Sequence, residues 1–280
     1  MVLAPLFLGK DIIWSIYGLI LISGVRWIWL IVLLRRYTEL KISAEFMKEH
    51  LYLGLPLILS TLISGSAQYT DGIIVAAVFR DPEKFALFRY GAKEFPLVLM
   101  LATGLSNALL PEFSTRTQMK ETLAKIKAKS KKLMHLLFPL TMVIMLFARW
   151  FYPRLFNSDF EKSSGIFLIY ACLIIPRLVF PQTILVGRKK TRITLVAALL
   201  ELALNIPLSL LMIKWGYGLT GIAVATLIVY IFNKIILVMY LWLKMKIKPT
   251  EYIPLEIYAL YSSLIAILFI LIDHKIIDIH

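Results

Sequence analysis

The sequence predicts an all-α polytopic membrane protein of about eight transmembrane helices. Three observations carry this. Hydrophobic residues make up 60% of the 280 residues and mean hydropathy is +0.80, too apolar for a water-soluble domain of this length. The apolar runs recur at the length of a bilayer crossing. Lys and Arg gather in the short connections between those runs, as positive-inside topology requires. The ten-residue alternating segments of a membrane β-barrel are absent.

Residues 1–9 are apolar without a basic leader, which argues against a cleaved signal peptide and suits the tail of a preceding helix. The first complete span, 11–34, carries Ser15, Ile22 and Arg26 on one face and ends in Arg35, Arg36, Lys41 and Lys48. That ending is expected on the cytoplasmic side. Alternation then assigns spans 51–79 (outward), 85–111 (inward), 133–153 (outward), 163–186 (inward), 192–213 (outward), 218–243 (inward) and 254–273 (outward). Connections assigned to the inside hold 18 of the 31 Lys and Arg and those outside hold 10 when Arg89 and Lys93 are counted with the 80–93 turn, which supports the orientation.

Several spans carry polar stripes that an inert anchor would not. On the second, Ser60, Ser64, Gln68 and Asp71 recur at helical spacing. On the third, Arg89, Lys93, Pro96, Met100, Thr103 and Asn107 share a face if the helix is continuous, with Arg89 and Asn107 about five turns apart. Tyr170 and Arg177 share a face of the fifth, Thr194, Ala198, Glu201 and Asn205 align on the sixth, and Thr226, Tyr230, Asn233 and Lys234 cluster on the seventh. A charge at the bilayer centre costs roughly 3 kcal/mol on insertion scales, so these stripes should face other helices or a wet cavity. Lys234 lies near enough to the inner end to snorkel instead.

Between the third and fourth spans, Met119, Leu123, Ile126 and Leu133 form one face of a lysine-rich stretch. It suits a helix lying in the cytoplasmic interface or a solvated linker helix between lobes. Pro56, Pro96, Pro139, Pro176, Pro181 and Pro207 fall within apolar runs, more than a passive bundle needs and in keeping with the bent helices of transporters.

The formal charge of +14 is accounted for by topology, so no nucleic-acid partner is expected. The one cysteine, Cys172, lies in an apolar run and reads as a buried inert thiol. His50, His135, His274 and His280 are scattered without metal-ligand spacing, and there is no Gly-rich phosphate loop or G-x-S-x-G elbow. No metal, no cofactor and no catalytic residues are expected. Within the spans Arg26, Arg89, Lys93, Arg177 and Lys234 outnumber Asp71, Glu94 and Glu201, and this cationic surplus points to an anionic cargo. The competing reading is interhelical pairing, such as Asp71 with Arg89 or Glu201 with Arg177.

The run GLPLILSTLISGSAQYTDGIIVAAVF, then FALFRYGAKEFPL and GLSNALLPEFS, resembles the start of the second six-helix lobe in polysaccharide flippases of the MOP superfamily, relatives of the MATE drug antiporters and the lipid II flippase. VGRKKTRITLVAALLELALNIPLSLLMIKWGYGLTGIAVAT looks like the fifth and sixth helices of that lobe, with small residues at Gly216, Gly218 and Gly221. The resemblance implies a last helix of a preceding lobe at 1–40, a six-helix C-terminal MATE-like lobe at 41–243 and an additional transmembrane helix at 244–280. Members have twelve to fourteen helices in two lobes, so a fragment of a multi-pass bacterial inner-membrane protein is expected.

Its implied function is flipping of an undecaprenyl pyrophosphate-linked oligosaccharide for surface polysaccharide such as O-antigen. Arg89, Lys93, Arg177, Arg26 and Lys234 would meet the anionic headgroup. Gln68, Asn107, Asn205 and Tyr230 would line the cavity for sugars, and Asp71 or Glu201 would couple an ion. Partners would be the lipid-linked oligosaccharide, bilayer lipids and polysaccharide assembly proteins, with a monomer as the full-length state. A cation-coupled multidrug antiporter is the alternative within the fold; a membrane-embedded polymerase or glycosyltransferase is disfavoured by short outside loops, and a scaffold subunit would bind no lipid-linked sugar.

Overall fold

The computed structural model describes residues 12–37, 43–114, 119–155 and 158–277, and among them there is no β-strand. Among the described residues six helices are long and apolar enough to cross a membrane, seven if a bent pair is counted as one span. The chain divides into two units, Met1–Glu49 and His50–His280.

In the first unit, α1 (Ile12–Tyr37) ends in Arg35 and Arg36, placing cations at the negative end of its dipole. Trp14, Leu21, Trp27 and Trp29 are all exposed, as side chains meeting lipid or other helices would be. Ser43 Oγ accepts from Phe46 N at 3.3 Å where α2 (Ala44–Phe79) starts. This 36-residue helix is long enough for a further span, and from His50 onward it belongs to the second unit.

In the second unit the third expected span is two helices, not one. Asp81 caps α3 (Pro82–Gly91), its side chain accepting from the backbone N–H of Glu83 and Lys84. The helix stops at 92–95 because Pro96 disfavours helical backbone at Phe95, which is extended. Pro96 then opens α4 (Pro96–Leu109), where its missing N–H costs nothing. The face expected to run from Arg89 to Asn107 is therefore discontinuous. Gly91 permits the close approach of α3 to its neighbour: a Cβ there would stand 2.5 Å from the Ser163 carbonyl oxygen.

The fifth expected span is likewise broken. It comprises α6 (Glu161–Ala171), the short α7 (Ile174–Arg177) and α8 (Pro181–Gly187), with a 48° bend before α8. Pro181 begins α8 as Pro96 begins α4, whereas Pro56, Pro139 and Pro207 lie inside continuous helices.

The lysine-rich stretch neither lies flat in the interface nor forms a separate linker. It is the first part of α5 (Met119–Leu155), continuous with the membrane-crossing part because nothing between Lys132 and Leu133 breaks a helix. Leu123 and Ile126 are buried, so this overhang, about 20 Å at 1.5 Å per residue, is packed onto the unit. Lys125 pairs with Glu112 at 3.2 Å and Glu121 at 3.3 Å.

An antiparallel hairpin, α9 (Thr191–Lys214) and α10 (Gly218–Met245), turns at Gly216, whose φ of 91° excludes most other residues. After the short α11 (Pro249–Tyr252), α12 (Leu255–Asp273) packs on α5, with Tyr261 stacked on Phe138 at 5.2 Å and bonded to His135 at 2.9 Å. A main core lies around α4, α5 and the broken helix, and a smaller one joins Val75, Phe88, Ile169, Tyr170 and Ile222.

Candidate functional site

A cavity of about 600 Å³ opens among α2, α4, the broken helix, α9 and α10. Its walls mix apolar side chains such as Leu57, Leu99, Phe180 and Leu237 with uncharged hydrogen-bonding groups: Ser60 and Thr61 from α2, Thr103, Ser106 and Asn107 from α4, Gln182 and Thr183 from α8, Thr194 from α9 and Asn233 from α10. Ser106 and Thr183 share a 2.6 Å hydroxyl contact across it.

The charges in this region balance. Arg177, at the end of α7, donates through Nε to Glu94 Oε2 at 2.7 Å and through a terminal nitrogen to Glu94 Oε1 at 2.6 Å. This two-point pair joins the break at 92–95 to the break at 178–180, and the guanidinium also lies 4.5 Å from the Tyr230 ring centroid. Glu201 Oε2 accepts from Asn233 Nδ2 at 2.6 Å, and the same amide donates to the Ala197 carbonyl at 3.2 Å. Lys234 lines the cavity 5.9 Å from the Tyr230 centroid and makes no ion pair among the described residues. Two cations thus face two carboxylates. The expected pairing of Arg177 with Glu201 is replaced by Arg177 with Glu94, because the break before Pro96 frees Glu94 to turn inward.

A second polar cluster is sealed. Asp71, with no exposed surface, accepts at Oδ2 from Tyr170 OH and from Thr226 Oγ1, both at 2.7 Å. Asn205 donates to Thr226 Oγ1 at 3.0 Å and accepts from Ser209 at 3.3 Å, so α2, α6, α9 and α10 meet on one carboxylate. Oδ1 has no hydrogen-bond partner among the described residues. The expected Asp71–Arg89 pair is absent there; hydroxyls serve the carboxylate instead.

The structure therefore brings together Arg177, Lys234, Tyr230, Asn107 and Glu201, and separates the others. Asn205 is buried in the Asp71 cluster rather than on the cavity wall, since the helix face it shares with Glu201 rotates it toward α2. Arg89 and Lys93 are exposed and do not line the cavity; Arg89 lies 5.4 Å from the Tyr69 ring centroid. Arg26 is exposed on α1 in the first unit. The side chain of Gln68 lies outside the described residues. Ser106 and Thr183 carry no signal in the sequence, whereas Glu94 is signalled there only as an intramembrane acid and Asn233 only as a member of the seventh span's polar cluster.

The sequence profile described as Lipid II flippase MurJ matches residues 2–277. The chain belongs to the lipid II flippase MurJ family. A solved structure described as "Lipid II flippase MurJ, inward closed conformation" superposes with a TM-score of 0.60 at 17% identity, covering 85% of this chain and 50% of that one. An outward-facing multidrug resistance MATE family transporter of the MOP superfamily gives 0.54 at 21% identity, covering 78% and 52%. These likenesses show the fold, and the chain spans about half the length of both structures. No curated protein sequence matches the chain.

Proposed function

We propose that the chain forms one lobe of a transporter that flips a lipid-linked saccharide across the bacterial inner membrane by alternating access. The cavity carries this reading: its hydroxyls and amides with balanced charge suit sugar hydroxyls, which take hydrogen bonds without needing a net countercharge. Asn107 and Tyr230 are the sugar-facing residues, with Gln68 a further candidate on α2. The pyrophosphate of the carrier goes to Arg89 and Lys93, which are exposed and form no ion pair among the described residues, with Arg26 and Lys234 as additional cations. Arg177 contributes less charge than its sequence position suggests, because Glu94 already neutralises it.

MurJ-family membership favours a lipid II-type passenger over the O-antigen type. Asp71 and Glu201 are the two candidates for ion coupling, the first for its unpartnered oxygen and the second for its opening to the cavity. Each charge moved through 100 mV contributes roughly 2.3 kcal/mol.

The test is translocation of fluorescent lipid II, and separately of an undecaprenyl pyrophosphate oligosaccharide, in cells expressing the protein. Replacing Arg89 and Lys93 together by Ala should lower translocation at least about tenfold, as expected for losing charge-assisted phosphate contacts, with membrane insertion unchanged. Undiminished translocation by the double variant would remove the phosphate assignment, and drug efflux without glycan movement would favour the antiporter.

A further inference from the structure

A second hollow, a groove of about 590 Å³, lies between the overhang of α5 and the segment leading into α12, and shares no wall with the cavity. Its floor is apolar, with Ala124 and Ala128 on one side and Leu255 and Ile257 on the other. Lys127 and Lys131 stand on the α5 wall, and Glu251 and Glu256 on the facing wall. Lys127 Nζ donates to the Thr250 carbonyl at 2.8 Å, which fixes the ammonium at the rim with two N–H groups to spare. Glu251 Oε1 accepts from the Lys248 backbone at 2.8 Å. Lys131 and Glu256 are exposed. No lysine of the groove forms an ion pair with either carboxylate among the described residues, so opposite charges line one hollow without neutralising each other.

Its position fixes the neighbourhood. The overhang is the lysine-rich end that the charge pattern assigns to the cytoplasm, and Leu255 is the first residue of the apolar α12, an arrangement that suits a groove at the headgroup level. Leu260 and Leu264 continue the face of Ile257 down α12 and are exposed.

We propose that this groove binds the head of a zwitterionic phospholipid bearing a primary ammonium, the phosphoethanolamine class. The phosphate lies on Lys127 and Lys131, the ammonium on Glu251 and Glu256, and the acyl chains along Leu260 and Leu264. A phosphoglycerol lipid would satisfy the lysines but face two carboxylates. A phosphocholine lipid brings a cation with no N–H to donate, whereas ethanolamine brings three. The assignment goes beyond the transport reading and does not depend on it.

Native mass spectrometry of the purified chain, titrated with phosphatidylethanolamine, phosphatidylcholine and phosphatidylglycerol, tests it. Phosphatidylethanolamine should bind about tenfold more tightly than either other lipid, the ratio for one charge-assisted hydrogen bond. Lys131→Ala and Glu256→Gln should each weaken phosphatidylethanolamine by about as much, while Glu256→Gln leaves phosphatidylglycerol unchanged or tighter. Both positions are exposed, so the lipid-free melting midpoint should hold, and if one variant fails to fold the other decides. Phosphatidylglycerol or phosphatidylcholine binding as tightly as phosphatidylethanolamine, or phosphatidylethanolamine indifferent to both variants, overturns the assignment.

Discussion

Around Arg177, two cations and the Glu201 carboxylate line a cavity large enough for water, with Glu94 paired to Arg177 beside it, whereas Asp71 is wholly buried and faces hydroxyls alone. The first arrangement keeps its charges by pairing them and leaving them a solvent path. The second keeps one carboxylate through two short hydrogen bonds and the packing of Phe88 and Tyr170 beside it, ring centroids 6.3 Å apart. Charge in these helices thus has two distinct uses. Where it can reach water it lines an open cavity, and where it cannot it holds helices together.

That contrast breaks most readily at Asp71. Asp71→Ala strands the Tyr170 and Thr226 hydroxyls without their acceptor in a dry site and should cost about 3 kcal/mol. The melting midpoint of the purified protein reads this out, and a loss below about 1 kcal/mol, the size of a single exposed contact, would put Asp71 in the same class as the cavity charges. Glu94→Ala should cost less, about 2 kcal/mol, because the freed guanidinium keeps the Tyr230 face and is partly open to the cavity. A double-mutant cycle with Arg177→Ala isolates the pair, and a coupling indistinguishable from zero would mean the clamp contributes nothing. Smallest is Glu201→Gln, within about 0.5 kcal/mol, since the amide oxygen can still accept from Asn233. A drop of the Asp71→Ala size there would show that Glu201 is sealed as Asp71 is.

The sequence made the helical architecture legible through the length of its apolar runs. GLPLILS and GLSNALLP with their downstream partner run pointed to the MOP superfamily but to its polysaccharide flippases, whereas the profile match is to the lipid II flippase MurJ family. The sequence hid the two breaks. Pro96 and Pro181 both follow Phe and both start a new helix, yet Pro139 also follows Phe and lies inside α5. What separates them is an ionic group just upstream, Glu94 in one case and Arg177 in the other, and each stabilises its break only by finding the other in space. A local reading cannot see such a partner. The same error propagated to the site: azimuths computed along an unbroken third helix put Arg89 with Asn107, and a gap at 92–95 separates them. The residue types and spacing mark the intramembrane charges, while their pairing depends on tertiary geometry.

Glu94 and Arg177 each occupy an interruption in a membrane helix, and two hydrogen bonds of 2.6 and 2.7 Å tether them. A swivel at either joint changes the span that this tether must bridge. The two elbows must therefore pivot in concert or part company altogether, which makes the ion pair a mechanical coupling rod as well as an electrostatic one.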